Sequence, residues 1–145
     1  MNQEGRSNGM QRTALRAAAV AERSTLPSEA RVIIREKAVA PFEFEGLTIR
    51  DYTAGHETAA SFAVITVPPG GVHAEAWSRR SDKYYYVLAG MIEFIDSGEV
   101  HTLSAGDFCL VAKGQHFSYR NPGEMRATLC LLHAPSFDAG SEEFA

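Results

Sequence analysis

No apolar run in the 145-residue chain approaches the ~18 residues that a membrane-crossing helix needs, so no helical span is expected. Positive charge is also scarce. Fourteen Lys and Arg stand against eighteen Asp and Glu, a net charge of −4. A phosphate backbone wants the opposite balance, so nucleic acid is not expected as the main partner, and without a span no membrane partner is expected either. Cysteine is sparse. Cys109 and Cys130 both lie in apolar, strand-like runs, and they read as reduced core thiols. The start lacks the apolar centre of a secretory leader, because Ala17–Ala21 is short and flanked by Arg16 and Arg23. A cytoplasmic protein is therefore expected. There is no low-complexity tract, no linker that would split domains, and no alternation of strands with helices. One domain at 31–145, preceded by an arm at 1–30, is the simplest organisation.

What is present is β-structure. Met1–Gly9 is polar and reads as disordered, and Thr13–Arg23 is Ala-rich with a thin apolar stripe, a frayed arm or a helix leaning on another surface. Pro27 ends it. From Val32 the pattern changes: Val32–Ile34, Phe42–Phe44, Leu47–Tyr52, Ala60–Val67, Lys83–Leu88, Met91–Ile95, Phe108–Val111, His116–Arg120 and Arg126–His133 all read as strands. Gly46, Asp96-Ser97-Gly98, Gly106-Asp107 and Asn121-Pro122-Gly123 punctuate them, the last as a type II turn. Many short strands with regular turns mean a sandwich or barrel.

Two spacings are specific. Gly71 is followed after five residues by Trp77, then Arg79, Lys83 and Gly90 at intervals of one, three and six residues. Gly106 is followed by Ala112-Lys113-Gly114, then Phe117 and, after three residues, Asn121. Val67-Pro68-Pro69-Gly70-Gly71, Tyr85–Gly90 and Leu103–Asp107 fit the same frame. This pattern resembles the two motifs of the cupin superfamily, and the resemblance runs from about Val32 to Phe137. It implies an all-β cupin double-stranded β-helix, a jelly-roll barrel, and a homodimer formed through a barrel face. In typical cupins the slots of Trp77, Arg79, Lys83 and Phe117 hold His, His, Glu and His, the ligands of a metal. All four are replaced.

Strand alternation then gives an expected lumen of Trp77, Arg79, Lys83, Tyr85, Phe117 and Tyr119, with Tyr84, Tyr86 and Leu88 outside and Glu93 undecided. Arg does not deprotonate and Lys seldom ligates, so no cofactor is expected at the usual place. Two unit charges of like sign at ~4 Å and an effective dielectric of ~20 repel by about 4 kcal/mol, which further disfavours a cation there. Relocated ligands drawn from His73, Glu75, His116 and His133 would be needed for a metal-dependent oxygenase or isomerase. His73 and Glu75 read as solvated loop residues. The expected function is binding of a small anionic organic molecule, with Arg79 and Lys83 holding the anion and the aromatics its body. The bland alternative is that the cations reach solvent and Trp77 and Phe117 plug the lumen. The catalytic alternative is a metal-free isomerase, epimerase or lyase with Lys83 as base or Schiff-base amine, Tyr85 or Tyr119 returning the proton, and His116 beside the pocket.

Overall fold

The computed structural model describes residues 31–145 and the backbone of Ser24–Thr25. The expected disordered start and the Thr13–Arg23 helix lie outside the described residues. Thirteen strands are described: β1 (Ser24–Thr25), β2 (Phe42–Phe44), β3 (Leu47–Asp51), β4 (His56–Glu57), β5 (Ser61–Val67), β6 (Val72–Ser78), β7 (Asp82–Ala89), β8 (Met91–Asp96), β9 (Glu99–Ser104), β10 (Phe108–Val111), β11 (Phe117–Arg120), β12 (Ala127–Ala134) and β13 (Glu142–Phe144). Two antiparallel sheets form the barrel, in the orders β10-β7-β12-β5-β3-β2 and β13-β6-β11-β8-β9. Their inner faces share one core. Ile65, Val87 and Leu129 from the first sheet meet Ile92, Phe94, Phe117 and Tyr119 from the second. The outer face of β7 and β10 leaves Tyr86, Leu88, Phe108 and Leu110 exposed.

Local chemistry explains the joints. The β8–β9 hairpin turns through Ser97 and Gly98 with φ of 50° and 79°, and two positive φ values in a two-residue loop make the type I′ turn that matches strand twist. Gly90 has φ 77°, and a Cβ there would stand 2.8 Å from the Ala127 Cα and the Arg126 carbonyl, so glycine is required twice over. Two expectations change. Val32–Ile34 forms no strand: Ile33 is 63% exposed, because β-branched residues supply propensity but not an edge to pair with. Asn121-Pro122-Gly123 is not a type II turn, since Gly123 is not at positive φ. The buried Asn121 organises the turn instead. Its Oδ1 accepts from Gly123 N at 2.9 Å, and its Nδ2 donates to the Val67 and Met125 carbonyls at 3.1 and 2.8 Å.

Register sorts the inner face of the larger sheet into layers. Val87, Leu129, Ile65 and Ile49 lie side by side deep in the barrel. Tyr85, Leu131, Ala63 and Asp51 come next, and then Lys83, His133 and Ser61. Polarity therefore rises toward one end of the barrel, which is where the site lies.

Candidate functional site

β7 alternates as expected, so Lys83, Tyr85 and Val87 point inward. Phe117 and Tyr119 on β11 do the same. β6 breaks the rule. Phe117 pairs with Ala76 while Tyr119 pairs with His73, so two residues of β6, Ala74 and Glu75, oppose the single Ser118 of β11. The extra residue is a β-bulge, with Ala74 and Glu75 both facing out. His73, Ala76 and Ser78 consequently face in, and Trp77 and Arg79 face out. The expected lumen is corrected at both positions. Trp77 lies outside, its ring stacked on His116 at 3.9 Å and 6°. Arg79 is 59% exposed, pairs with Glu143 at 3.1 Å and donates to the Gly140 carbonyl. His116 is half exposed beside Glu75 at 3.6 Å, so it does not adjoin the lumen. Glu93 also faces out, pairing with Arg120 at 2.6 Å.

The carboxylate missing from the sequence reading comes from β13. Its pairing sets Glu142 opposite Ser78 and Phe144 opposite Ala76, so both point inward. Lys83 Nζ donates to Glu142 Oε2 at 2.8 Å, with the two side chains only 6% and 4% exposed. Lys83 Nζ also lies 4.8 Å from the centre of the Phe117 ring. His133 Nε2 stands 3.6 Å from Glu142 Oε1, an electrostatic contact too long for a good hydrogen bond. Burial opposes the charge on Glu142, but His133 and Lys83 outweigh it and hold the carboxyl below 4.5. Burial pulls Lys83 below 10.5 against the pull of Glu142, and burial also lowers His133.

His73 is fully inside. Its ring stacks on Tyr119 at 4.8 Å and on Phe117 at 5.2 Å, and Nδ1 lies 2.7 Å from the Ala74 carbonyl. Burial and the nearby Lys83 lower its pKa from 6.5 to about 4, so the ring is neutral at pH 7. The Tyr119 hydroxyl is buried without a hydrogen-bond partner, and burial raises both Tyr119 and Tyr85. These groups surround a cavity of ≈ 70 Å³ walled by Phe44, Ile49, Leu131 and Phe144. Asp51, Ser61 and Phe137 line both this cavity and a wider polar depression of ≈ 590 Å³.

Comparison with known proteins finds the same architecture. Residues 63–133 match the cupin domain family. An oxalate-binding protein of Thermotoga maritima is 34% identical over 86 residues, covering 54% of this chain and 69% of the relative. The chain belongs to the cupin superfamily. Among solved structures, Streptomyces Pac13, described as a unique nucleoside dehydratase, superposes with a TM-score of 0.70 at 21% identity, over 80% of this chain and 92% of that one. A predicted oxalate decarboxylase of T. maritima gives 0.64 at 19% identity, over 72% and 99%.

The cupin metal does not fit this donor set. Lys83 stands where the family has its Glu, and its ammonium engages the nearest carboxylate, Glu142. His73 turns Nδ1 to the backbone, and no group of three or more His, Cys, Asp or Glu is placed to hold a metal among the described residues. Sequence reasoning named His73 and His133 only as ligands of a relocated metal, took His73 for a solvated loop residue although it is buried, and missed Glu142. Alternation of Arg126–His133 carried a signal for His133. The bulge and the short β13 carried none.

Proposed function

We propose that this cupin binds a small, oxygen-rich organic molecule in the barrel without a metal, through the Lys83–Glu142 pair. The observation that carries the reading is that pair, buried at 2.8 Å beside an open cavity. A buried ion pair contributes little net stability compared with an apolar replacement of similar volume. Its use is to present a donor and an acceptor together, in a dry place, to a ligand that has both. Arg79 takes no part, because it lies outside, and Lys83 is already neutralised by Glu142. The preferred ligand is therefore a hydroxy-carbonyl or polyol fragment whose apolar part meets Phe44, Ile49 and Phe144.

A second reading is favoured by the oxalate-binding relative. In it a small carboxylate pairs with Lys83, while Glu142 turns to a protonated His133. Calorimetry with hydroxy-carbonyl compounds and with small carboxylates, on protein of measured metal content, separates the two. Binding of neutral ligands by metal-free protein, weakened in Lys83→Met and unchanged in Arg79→Ala, is the expected result. Stoichiometric iron, manganese, nickel or zinc whose removal abolishes binding would overturn both readings. The proposal keeps the homodimer of the sequence reading, with the Tyr86 and Leu110 face as its contact; sedimentation of Leu110→Glu tests it.

A further inference from the structure

The Lys83 ammonium and the Glu142 carboxylate hold each other charged at 2.8 Å, so Lys83 has no free electron pair to accept a proton. The neighbouring ring differs. His73 has its Nδ1 against the Ala74 carbonyl at 2.7 Å, a contact that needs the proton on Nδ1 and leaves the lone pair on Nε2. The ring packs against two neighbours on β11, Tyr119 at 4.8 Å and Phe117 at 5.2 Å, and it lines the cavity. A third observation points to a ligand independently. The side chain of Tyr119, 0% exposed, lines the same cavity, and its buried hydroxyl has no partner. A buried donor without an acceptor is costly unless something occupies the space beside it.

We propose that His73, not Lys83, is the proton-accepting residue of this pocket, and that the barrel exchanges the proton on a carbon next to the carbonyl of a small hydroxy-carbonyl compound. The proposal rests on the pocket reading above. In the step, His73 Nε2 takes the proton and the C–H electron pair becomes the carbon–carbon double bond of an enediolate. The carbonyl oxygen takes the negative charge against the Lys83 ammonium and the Tyr119 hydroxyl. The His73 imidazolium then returns a proton to carbon, so no oxidant, reductant or leaving group is required. The charged and titratable groups lining the cavity with His73 are Lys83 and Tyr85 from β7, Glu142 from β13, Tyr119 from β11, His133 from β12 and Asp51 from β3. The neutral form of His73 prevails at pH 7, so the exchange rate is flat from pH 6 upward until another group titrates.

The test is proton NMR of dihydroxyacetone in deuterium oxide with the full chain. Wild type is expected to bind it and to wash deuterium into its carbon-bound positions. His73→Gln should cut the exchange by at least about 100-fold while dihydroxyacetone still binds. His73→Ala should lose the exchange and regain it on addition of imidazole, a response that a purely structural role does not give. Binding without exchange in wild type, or exchange in His73→Gln near the wild-type rate, overturns the assignment of His73 and leaves the pocket reading standing. No binding to wild type or to any neutral hydroxy-carbonyl compound overturns both. Exchange lost in Lys83→Met but kept in His73→Gln returns the base to Lys83.

Discussion

Glu142→Gln is the sharpest test of the site, because it changes one charge and almost no volume. The carboxylate and its Lys83 partner are 4% and 6% exposed, so water cannot take over when the charge is removed. Breaking a buried pair from one side typically costs about 3–5 kcal/mol, because the remaining charge is left in a poor medium. The amide oxygen of Gln still accepts one hydrogen bond, which places the expectation at the lower end, about 3 kcal/mol. For a chain of this size each 1 kcal/mol moves Tm by roughly 3–5 °C, so a drop of about 10 °C is expected. The assay is urea unfolding at pH 7 of wild type, Glu142→Gln, Lys83→Met and the double variant Lys83→Met/Glu142→Leu. The double variant should recover most of the loss, since apolar replacement of a whole buried pair is often neutral or stabilising. A Glu142→Gln protein within about 1 kcal/mol of wild type would refute the reasoning, for that is the range of a solvent-screened pair. So would a double variant less stable than either single one.

Acid should weaken the fold through His73. Its pKa is about 4 folded against 6.5, so between those values the unfolded chain binds a proton that the folded chain refuses. Stability therefore rises with pH across that window, by up to about 3 kcal/mol, and urea titrations from pH 4 to 7 should show a shallower slope in His73→Gln. His133 is shifted in the same direction, and Glu142 adds stability that is lost below 4.5, whereas Asp51, raised above 3.8 by burial, acts with the opposite sign. Tyr119→Phe removes a hydroxyl with no partner, so ligand-free protein should be unchanged or up to about 1 kcal/mol more stable by denaturant titration. Gly90→Ala forces a Cβ to 2.8 Å from the Arg126 carbonyl at positive φ and should cost at least about 2 kcal/mol.

The barrel was legible in the sequence because glycines, turns and strand lengths report on the backbone, and the backbone of this superfamily tolerates changed chemistry. β7 was legible down to side-chain direction, since Lys83, Tyr85 and Val87 follow strict alternation with no irregularity. β6 was not. A bulge adds one residue without any composition signal, and every side-chain assignment beyond it shifts by one face. Without that extra residue His73, Trp77 and Arg79 would share one face; with it His73 faces in while Trp77 and Arg79 face out. Glu142 was hidden for a different reason. Glu-Glu-Phe is too short and too polar to read as a strand, and its inward direction is set by pairing with Ser78, Trp77 and Ala76 more than sixty positions earlier. The sequence reading left the counter-ion for Lys83 open between an unplaced protein carboxylate and an anionic ligand, and the fold supplies the former from its own last strand.

The irregularity in β6 also makes the lumen's chemistry sensitive to chain length in a way that substitutions are not. Deleting a single codon at Ala74 or Glu75 would restore regular pairing with β11 and leave the two sides of β6 competing for the interior. Holding the N-terminal half in place would swing an indole and a guanidinium into the space now shared by Ala76 and Ser78. Holding the C-terminal half would expel the imidazole to solvent. One genetic event would thus exchange a neutral, base-bearing chamber for a cationic or an inert one, with the rest of the scaffold untouched.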